Sequence, residues 1–389
     1  MDTLITAGRV LPRPSAPVRD GAVLVRDGVI VAAGPRADVV AQAAPDAVRH
    51  DFPTGTALAG LFNVHVHLAF DASREVLAHF SADGFPVEDA RSRLTSMLRS
   101  GVTTVRDLGD RGHLGAAVRR SFPDSVAAPR LLVSGPPITV PDGHCHFFGG
   151  AVASDSAIRE LIDENAAAGA DVIKVMASGG QLTEGGADMW ESQFDARRLS
   201  VIVSHAASHG LPVAAHAHGA DAISAAVSAG VSTVEHCSFL TGPRTFDRRD
   251  SVAARMAAEG ISACSTSSRN WRVIVEKLGE ATAEAMYGRL PWLEEHGVRL
   301  LAGTDAGLPG SVFDDPVGAL ELYEWLGFPR RRILEIATED SAAGLGLSAV
   351  TGRLEAGLAG DVLVVEGDPL ASLAALRNPL LVLARGRAA

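Results

Sequence analysis

Gly60-Leu61-Phe62-Asn63-Val64-His65-Val66-His67 reads as a short buried strand that carries two histidines. Side chains alternate faces along a strand, so His65 and His67 point the same way. Two imidazoles on one face of an apolar strand form half of a metal site. Alone the pair decides little, since nearby histidines also occur by chance on surfaces. The rest of the chain supplies the context.

The chain has 389 residues, of which 47% are hydrophobic, 21% charged and 5% aromatic. That composition fits a globular protein with a large core, and the length fits one large domain with a smaller one. A formal net charge of −11 disfavours nucleic acid or an anionic membrane as partner. No stretch approaches the ~20 apolar residues of a membrane span. The first residues, Met1-Asp2-Thr3-Leu4, lack the basic and apolar runs of a secretion signal. Cys145, Cys237 and Cys264 are odd in number and widely spaced, which points to buried thiols in a reducing cytoplasm.

Both ends of the chain are β-rich. Gly21–Val25 and Val29–Ala33 flank an Asp27-Gly28 turn and read as a hairpin. Gly352–Leu354, Asp361–Val365 and Leu380–Leu383 read as strands, with a turn at Gly367-Asp368-Pro369. Residues 1–54 with 346–389 are therefore expected to form one small β-sandwich domain. Residues 55–345 alternate short apolar runs with helical patterns, the signature of βαβ units. Strands are expected near 61–67, 103–107, 130–134, 171–176, 212–216, 231–236, 261–265 and 299–305. Helices are expected over Ala153–Ala168 and Ala220–Ala229, among others. The fold class is α/β, a (β/α)₈ TIM barrel, whose active site lies at the C-terminal strand ends. A doubly wound sheet is the alternative, weakened by the lack of a Gly-rich phosphate turn after the early strands.

Those strand ends collect His65, His67, Lys174, His216, His236 and Asp305. Lys174 sharpens the pattern, because only Lys174 and Lys277 among the 35 basic residues are lysines. A lysine in an apolar strand bears a large desolvation cost unless neutral or paired. Arg stays protonated, whereas a neutral Lys amine can add carbon dioxide to give a carbamate that bridges two metal ions. A Schiff-base lysine and a simple buried ion pair are the rival readings.

These motifs resemble the amidohydrolase superfamily, in particular its metal-dependent dipeptidase and carboxypeptidase-like branch, with its prolidase-like and ochratoxin-hydrolysing members. The matching stretches are 60–67, Gly101–Asp107, Ile173–Gly180, Ala215-His216-Ala217-His218-Gly219, Val234-Glu235-His236, Gly303-Thr304-Asp305-Ala306 and the closing 359–369 segment. The resemblance implies a binuclear site: His65, His67 and Asp305 on one divalent ion, His216 and His236 on the other, and carboxylated Lys174 between them. Zinc is the default ion for such nitrogen and oxygen ligands, which also accept Co, Mn or Fe. His218 would replace His216 if the register shifted. Asn63 stands where the family commonly has Asp, which changes the charge behind the ligands. Asp142-Gly143-His144-Cys145-His146 replaces a common Gly-Gly-His-Gly run, with His144 at the matching position.

The resemblance implies a metal-dependent hydrolase of an amide, N-acyl amino acid or dipeptide-like C–N bond. Hydroxide held between two metals attacks the carbonyl carbon. Asp305 takes its proton and passes it to the leaving amine, and His144 helps to hold the oxyanion. His144, His146, Trp190, Arg269 and Trp271 are the candidate substrate contacts, with Arg269 facing a substrate carboxylate or simply solvent. A second reading is a mononuclear hydrolase or deaminase of a cyclic imine, amidine or other nitrogen heterocycle, imidazolonepropionase-like, which would leave Lys174 without a task. A third is a barrel that binds without turnover. His50, His79, His113, His205, His209 and His296 show no partner spacing. The partner is a small molecule, and the outer helices leave room for a homo-oligomer.

Overall fold

The computed structural model describes residues 2–77 and 86–389, so His79 lies outside the described residues. The N-terminal strands β1 (Asp2–Val10), β2 (Val18–Arg26) and β3 (Val29–Pro35) form an antiparallel meander, with the Asp27-Gly28 turn where the sequence places it. A short helix α1 (Arg36–Val40) leads to β4 (Val48–Ala59).

The central part alternates strands and helices. Its strands are β5 (Leu61–Val66), β6 (Val102–Asp107), β7 (Arg130–Val133), β8 (Ile173–Met176), β9 (Val213–Gly219) and β10 (Thr233–Gly242). The short β11 (Thr245–Phe246) folds back on β10, and β12 (Ser262–Cys264) and β13 (Leu300–Leu301) come next. Helices α2 (Val87–Arg99), α3 (Leu114–Ser121), α4 (Asp155–Ala167), α5 (Ala196–Ser208), α6 (Ala220–Ala229) and α7 (Asp250–Glu259) lie between them. Their starts and stops follow local chemistry. Ser154 and Asp195 cap α4 and α5 by accepting from Ala157 N and Arg198 N, and α6 ends at Gly230 with φ +82°.

The ladder is not one unbroken barrel. β5, β6 and β7 make one parallel sheet, and β8, β9, β10, β12 and β13 make another. Isolated parallel bridges, Ile138 to Val175 and Val66 to Ala306, cross the two seams. β13 ends at Leu301, yet beyond it Val64 N donates to Ala302 O at 2.8 Å and Asp305 N to His65 O at 2.9 Å. The result is a TIM-barrel-like α/β fold with an added β domain.

That β domain departs from the expected sandwich. β14 (Val362–Glu366), β15 (Pro379–Ala384) and β16 (Arg387–Ala388) join β1–β4 in one continuous sheet ordered β16-β15-β14-β4-β1-β2-β3. The reason is β4, which pairs with β1 on one edge and β14 on the other. Leu363, Val365 and Val382 enter the main core, whereas Val362 and Val364 pack with Ile5, Val23 and Val25. One sheet thus finds cover on both faces without a second sheet. Gly352–Leu354 is a bend, not a strand; its Leu354 N donates to Pro12 O and its side chain is buried. No described helix is long and apolar enough to cross a membrane.

Candidate active site

A cavity of about 560 Å³ opens among the C-terminal strand ends. His65 enters it from β5 and His67 from just past its end, Lys174 from β8, His216 and His218 from β9, His236 from β10, and Asp305 from the loop after β13. His144, on the loop after β7, also lines it. The imidazoles crowd one another: His216 meets His236 edge to face at 4.5 Å between centroids, while His65 to His236 at 5.3 Å and His144 to His216 at 4.7 Å are tilted. Asp305 Oδ1 stands 3.3 Å from both His65 Nε2 and His67 Nε2.

Each imidazole is oriented by its other nitrogen or its neighbours. His65 Nδ1 donates to Glu235 Oε2 at 2.8 Å. Thr266 Oγ1 lies 2.6 Å from His236 Nδ1, and His216 Nε2 donates to Gly179 O at 3.0 Å. Such contacts fix the tautomer and ring plane of a ligand. Glu235 is fully buried, and Arg106 meets its Oε1 at 2.8 Å while Thr233 hydroxyl donates to the same oxygen. Burial alone would raise the Glu235 pKa, but Arg106 and then His65 hold it below the usual carboxylate range. Asn63 donates to Thr304 Oγ1 at 2.7 Å and accepts from Thr304 N at 3.1 Å. A carboxylate here could not donate, so the amide ties β5 to the segment that carries Asp305 in both directions. Asp107 accepts from Leu68 N and Gly109 N, holding the turn after His67, and burial followed by Asp110 pushes it up to about 7.

The backbone is unusual here. His236, Cys237 and Asp305 have φ of +65°, +50° and +57°, a left-handed region costly for residues other than glycine. His236 and Asp305 both line the cavity, and this backbone sets the direction in which their side chains leave the chain.

The electrostatics favour neutral bases. Burial, with the Lys174 charge behind it, carries His65 down to about 4, and His144 likewise to about 4. His218 falls to about 3 through burial and His144. His216 and His236 lie well below the ordinary imidazole value, by burial first and neighbouring imidazoles second. Burial lowers the Lys174 ammonium too. Asp305 is the counterpart: burial works against its charge, but His65 and His67 overcome it and keep the carboxyl low. Neutral imidazoles and an ionised carboxylate are the forms that ligate divalent metal.

The donor set fits an ion. Asp305 Oδ1 is buried and makes no hydrogen bond although two imidazole nitrogens are close by. A buried carboxylate oxygen left this way awaits a different partner. His65, His236 and Asp305 bring ligand atoms within 4.8 Å of one another, as do His216, His218 and His236. Lys174 lines the same cavity, its amine biased toward the neutral form by burial.

Not every candidate from the sequence lines the cavity. Trp271 does, and its Nε1 donates to Gly318 O. His146, Trp190 and Arg269 are not among the lining residues. His146 is exposed beside Phe147, Trp190 packs its backbone against Gly219, and the Arg269 Cβ sits against Gly318. Residues with no role assigned from sequence stand out instead. Glu235 and Arg106 form a buried pair behind His65. Arg289 lines the cavity with its guanidinium donating to the carbonyls of His236, Met286 and Ser265. A charged residue within a strand pattern, Arg106 in β6 and Glu235 in β10, is the one signal that could have found this pair.

A barrel-like wall with histidines, a lysine and an aspartate at its strand ends defines the class of barrel hydrolases. The chain belongs to the Amidohydrolase family, whose profile matches residues 56–388. It is 26% identical over 428 residues to ochratoxinase of Aspergillus niger, covering 98% of this chain and 84% of that one. The crystal structure of a Xaa-Pro dipeptidase superposes with a TM-score of 0.86 at 23% identity, covering all of both chains. That of a putative prolidase from Bifidobacterium longum gives 0.82 at 25% identity, over 100% of this chain and 94% of the other. The protein is a hydrolase of carbon–nitrogen bonds in the amidohydrolase family.

Proposed function

We propose that the chain is a binuclear metal-dependent hydrolase of small amides, acting on a dipeptide, an N-acyl amino acid or a related C–N bond. The observation that carries this reading is the convergence of His65, His67, Asp305, Lys174, His216 and His236 on one cavity. His65, His67 and Asp305 would hold one ion, His216 and His236 the other, with Lys174 as a carbamate between them. Zinc is the ion these ligands suit, and two such ions supply an activated water and a polarised carbonyl. Residues 55–345 are taken as the (β/α)₈ catalytic body, with 1–54 and 346–389 as the β domain, whose strand β4 runs on to Ala59. The three buried free cysteines fit a reducing cytoplasm.

The chain's own groups divide the remaining work. Asp305, ionised, takes a proton from the attacking water and hands it to the leaving nitrogen. His144, neutral, supplies an N–H toward the carbonyl oxygen as charge builds there. Glu235 holds His65 in one tautomer. Phe70, Phe148, Trp271 and Leu308 give the cavity an apolar wall for the acyl or side-chain part of the substrate. Arg289 already has three carbonyl partners, so it shapes the wall more than it pairs an incoming carboxylate.

The test is a panel of N-acyl amino acids and dipeptides offered to zinc-reconstituted protein, beside Asp305→Asn. The wild type should cleave at least one class, and removing the proton carrier should lower the rate about 10²–10⁴-fold. Consumption of nitrogen heterocycles with every amide left intact would overturn the reading in favour of a cyclic-imine hydrolase or deaminase.

A further inference from the structure

We propose that Asp163, His205 and His209 form a separate divalent-metal site, suited to zinc, on the outer wall of the molecule. The sequence alone assigns His205 and His209 no partner, but the structure does: His205 in the last turn of α5 and His209 just past it, four residues apart, both meet the neighbouring helix α4. Asp163 of α4 meets them: its Oδ1 lies 2.7 Å from His205 Nε2 and 2.7 Å from His209 Nε2. The rings are 5.4 Å apart and inclined by 72°. The three ligand atoms fall within 4.8 Å of one another.

Two imidazole nitrogens aimed at one carboxylate oxygen are poised to converge on a cation. Zinc takes histidine nitrogen and carboxylate oxygen at about 2.0–2.2 Å, so rotation of exposed side chains suffices to admit it. The side chains are 23%, 33% and 53% exposed for His205, His209 and Asp163, so the ion enters from solvent and keeps a position open for water. The two imidazole contacts already hold the Asp163 carboxyl below its usual range, keeping it anionic. The site would clip α4 to α5 near the ends that lead into β8 and β9, away from the cavity mouth. It is independent of the catalytic reading, since it shares no residue with the cavity.

The experiment titrates zinc chloride into full-length protein already loaded at its cavity, by calorimetry, for the wild type, for His205→Gln with His209→Gln, and for Asp163→Asn. The expected result is one more zinc per chain in the wild type than in the double variant, weakened uptake in Asp163→Asn, and a zinc-dependent rise in unfolding temperature lost from the double variant. Equal zinc uptake by wild type and double variant, both folded by circular dichroism, would overturn the site. The difference between variants reports on this site whether or not the cavity proves to hold metal.

Discussion

Glu235 shows how a residue without an obvious task can govern a site. It is buried among Arg106, Thr233 and His65, and its charge answers the guanidinium that crosses the strand behind it. Glu235→Gln keeps the shape and removes that charge, leaving Arg106 buried and unpaired. Loss of one partner from such a pair costs about 3–5 kcal/mol, to be read from urea unfolding of metal-free protein. Loss of the contact behind His65 should also weaken metal binding about 10–100-fold; an unchanged urea midpoint would mean that Arg106 finds another counter-charge. The depressed imidazoles make a second prediction. His65 and His144 fall to about 4 in the folded chain against an ordinary 6.5, so the unfolded chain binds more protons between those values. Stability of the metal-free protein is therefore full above about pH 6.5 and is lost as pH falls toward 4. Melting scans at pH 7.5 and 4.5 check this, and equal midpoints would contradict it. His65 and His67 were legible in the sequence because strand alternation puts them on one face, and Lys174 because the chain uses almost no other lysine. Arg106 and Glu235 were not paired there, because 129 residues separate them and periodicity carries no information about which strands meet.

At the scale of elements, strand ends matter more than strand interiors. The expected strand positions along 61–305 recur with shifts of a few residues, and α6 has the expected limits. The apolar periodicity that sets them is local and therefore readable. The backbone near the strand ends is less so: nothing in the local apolar pattern marks the left-handed residues His236, Cys237 and Asp305. The loop after β8 gives a direct test. A Cβ at Gly180 would lie 2.4 Å from the His144 ring. Gly180→Ala should therefore push His144 aside and lower hydrolysis by up to ~10²-fold, the cost of an ångström-scale misplacement, with metal content unchanged. Full activity in that variant would remove His144 from the reacting end of the cavity.

For the whole molecule, the termini are tied together through β4. β1–β4 from one end and β14–β16 from the other lie in one sheet. This single-sheet form was not legible, since it depends on β4 pairing on both edges and on the main core covering one face of β14. Leu363, Val365, Val382 and Ala384 all enter that core. Deleting residues 360–389 should consequently leave a chain that precipitates or melts without a cooperative transition, measured by calorimetry against the full chain. A soluble truncation with the parental midpoint would show that the barrel-like body stands alone.

The most direct measurement of the central claim is metal per chain, by elemental analysis of protein expressed with zinc and bicarbonate, in the wild type and in Lys174→Ala. Both would carry the His205→Gln and His209→Gln changes, so that only the cavity is counted. The account predicts close to two ions in the first and a sharp fall in the second. One ion in both, untouched by loss of the lysine, would contradict a carbamate-bridged pair.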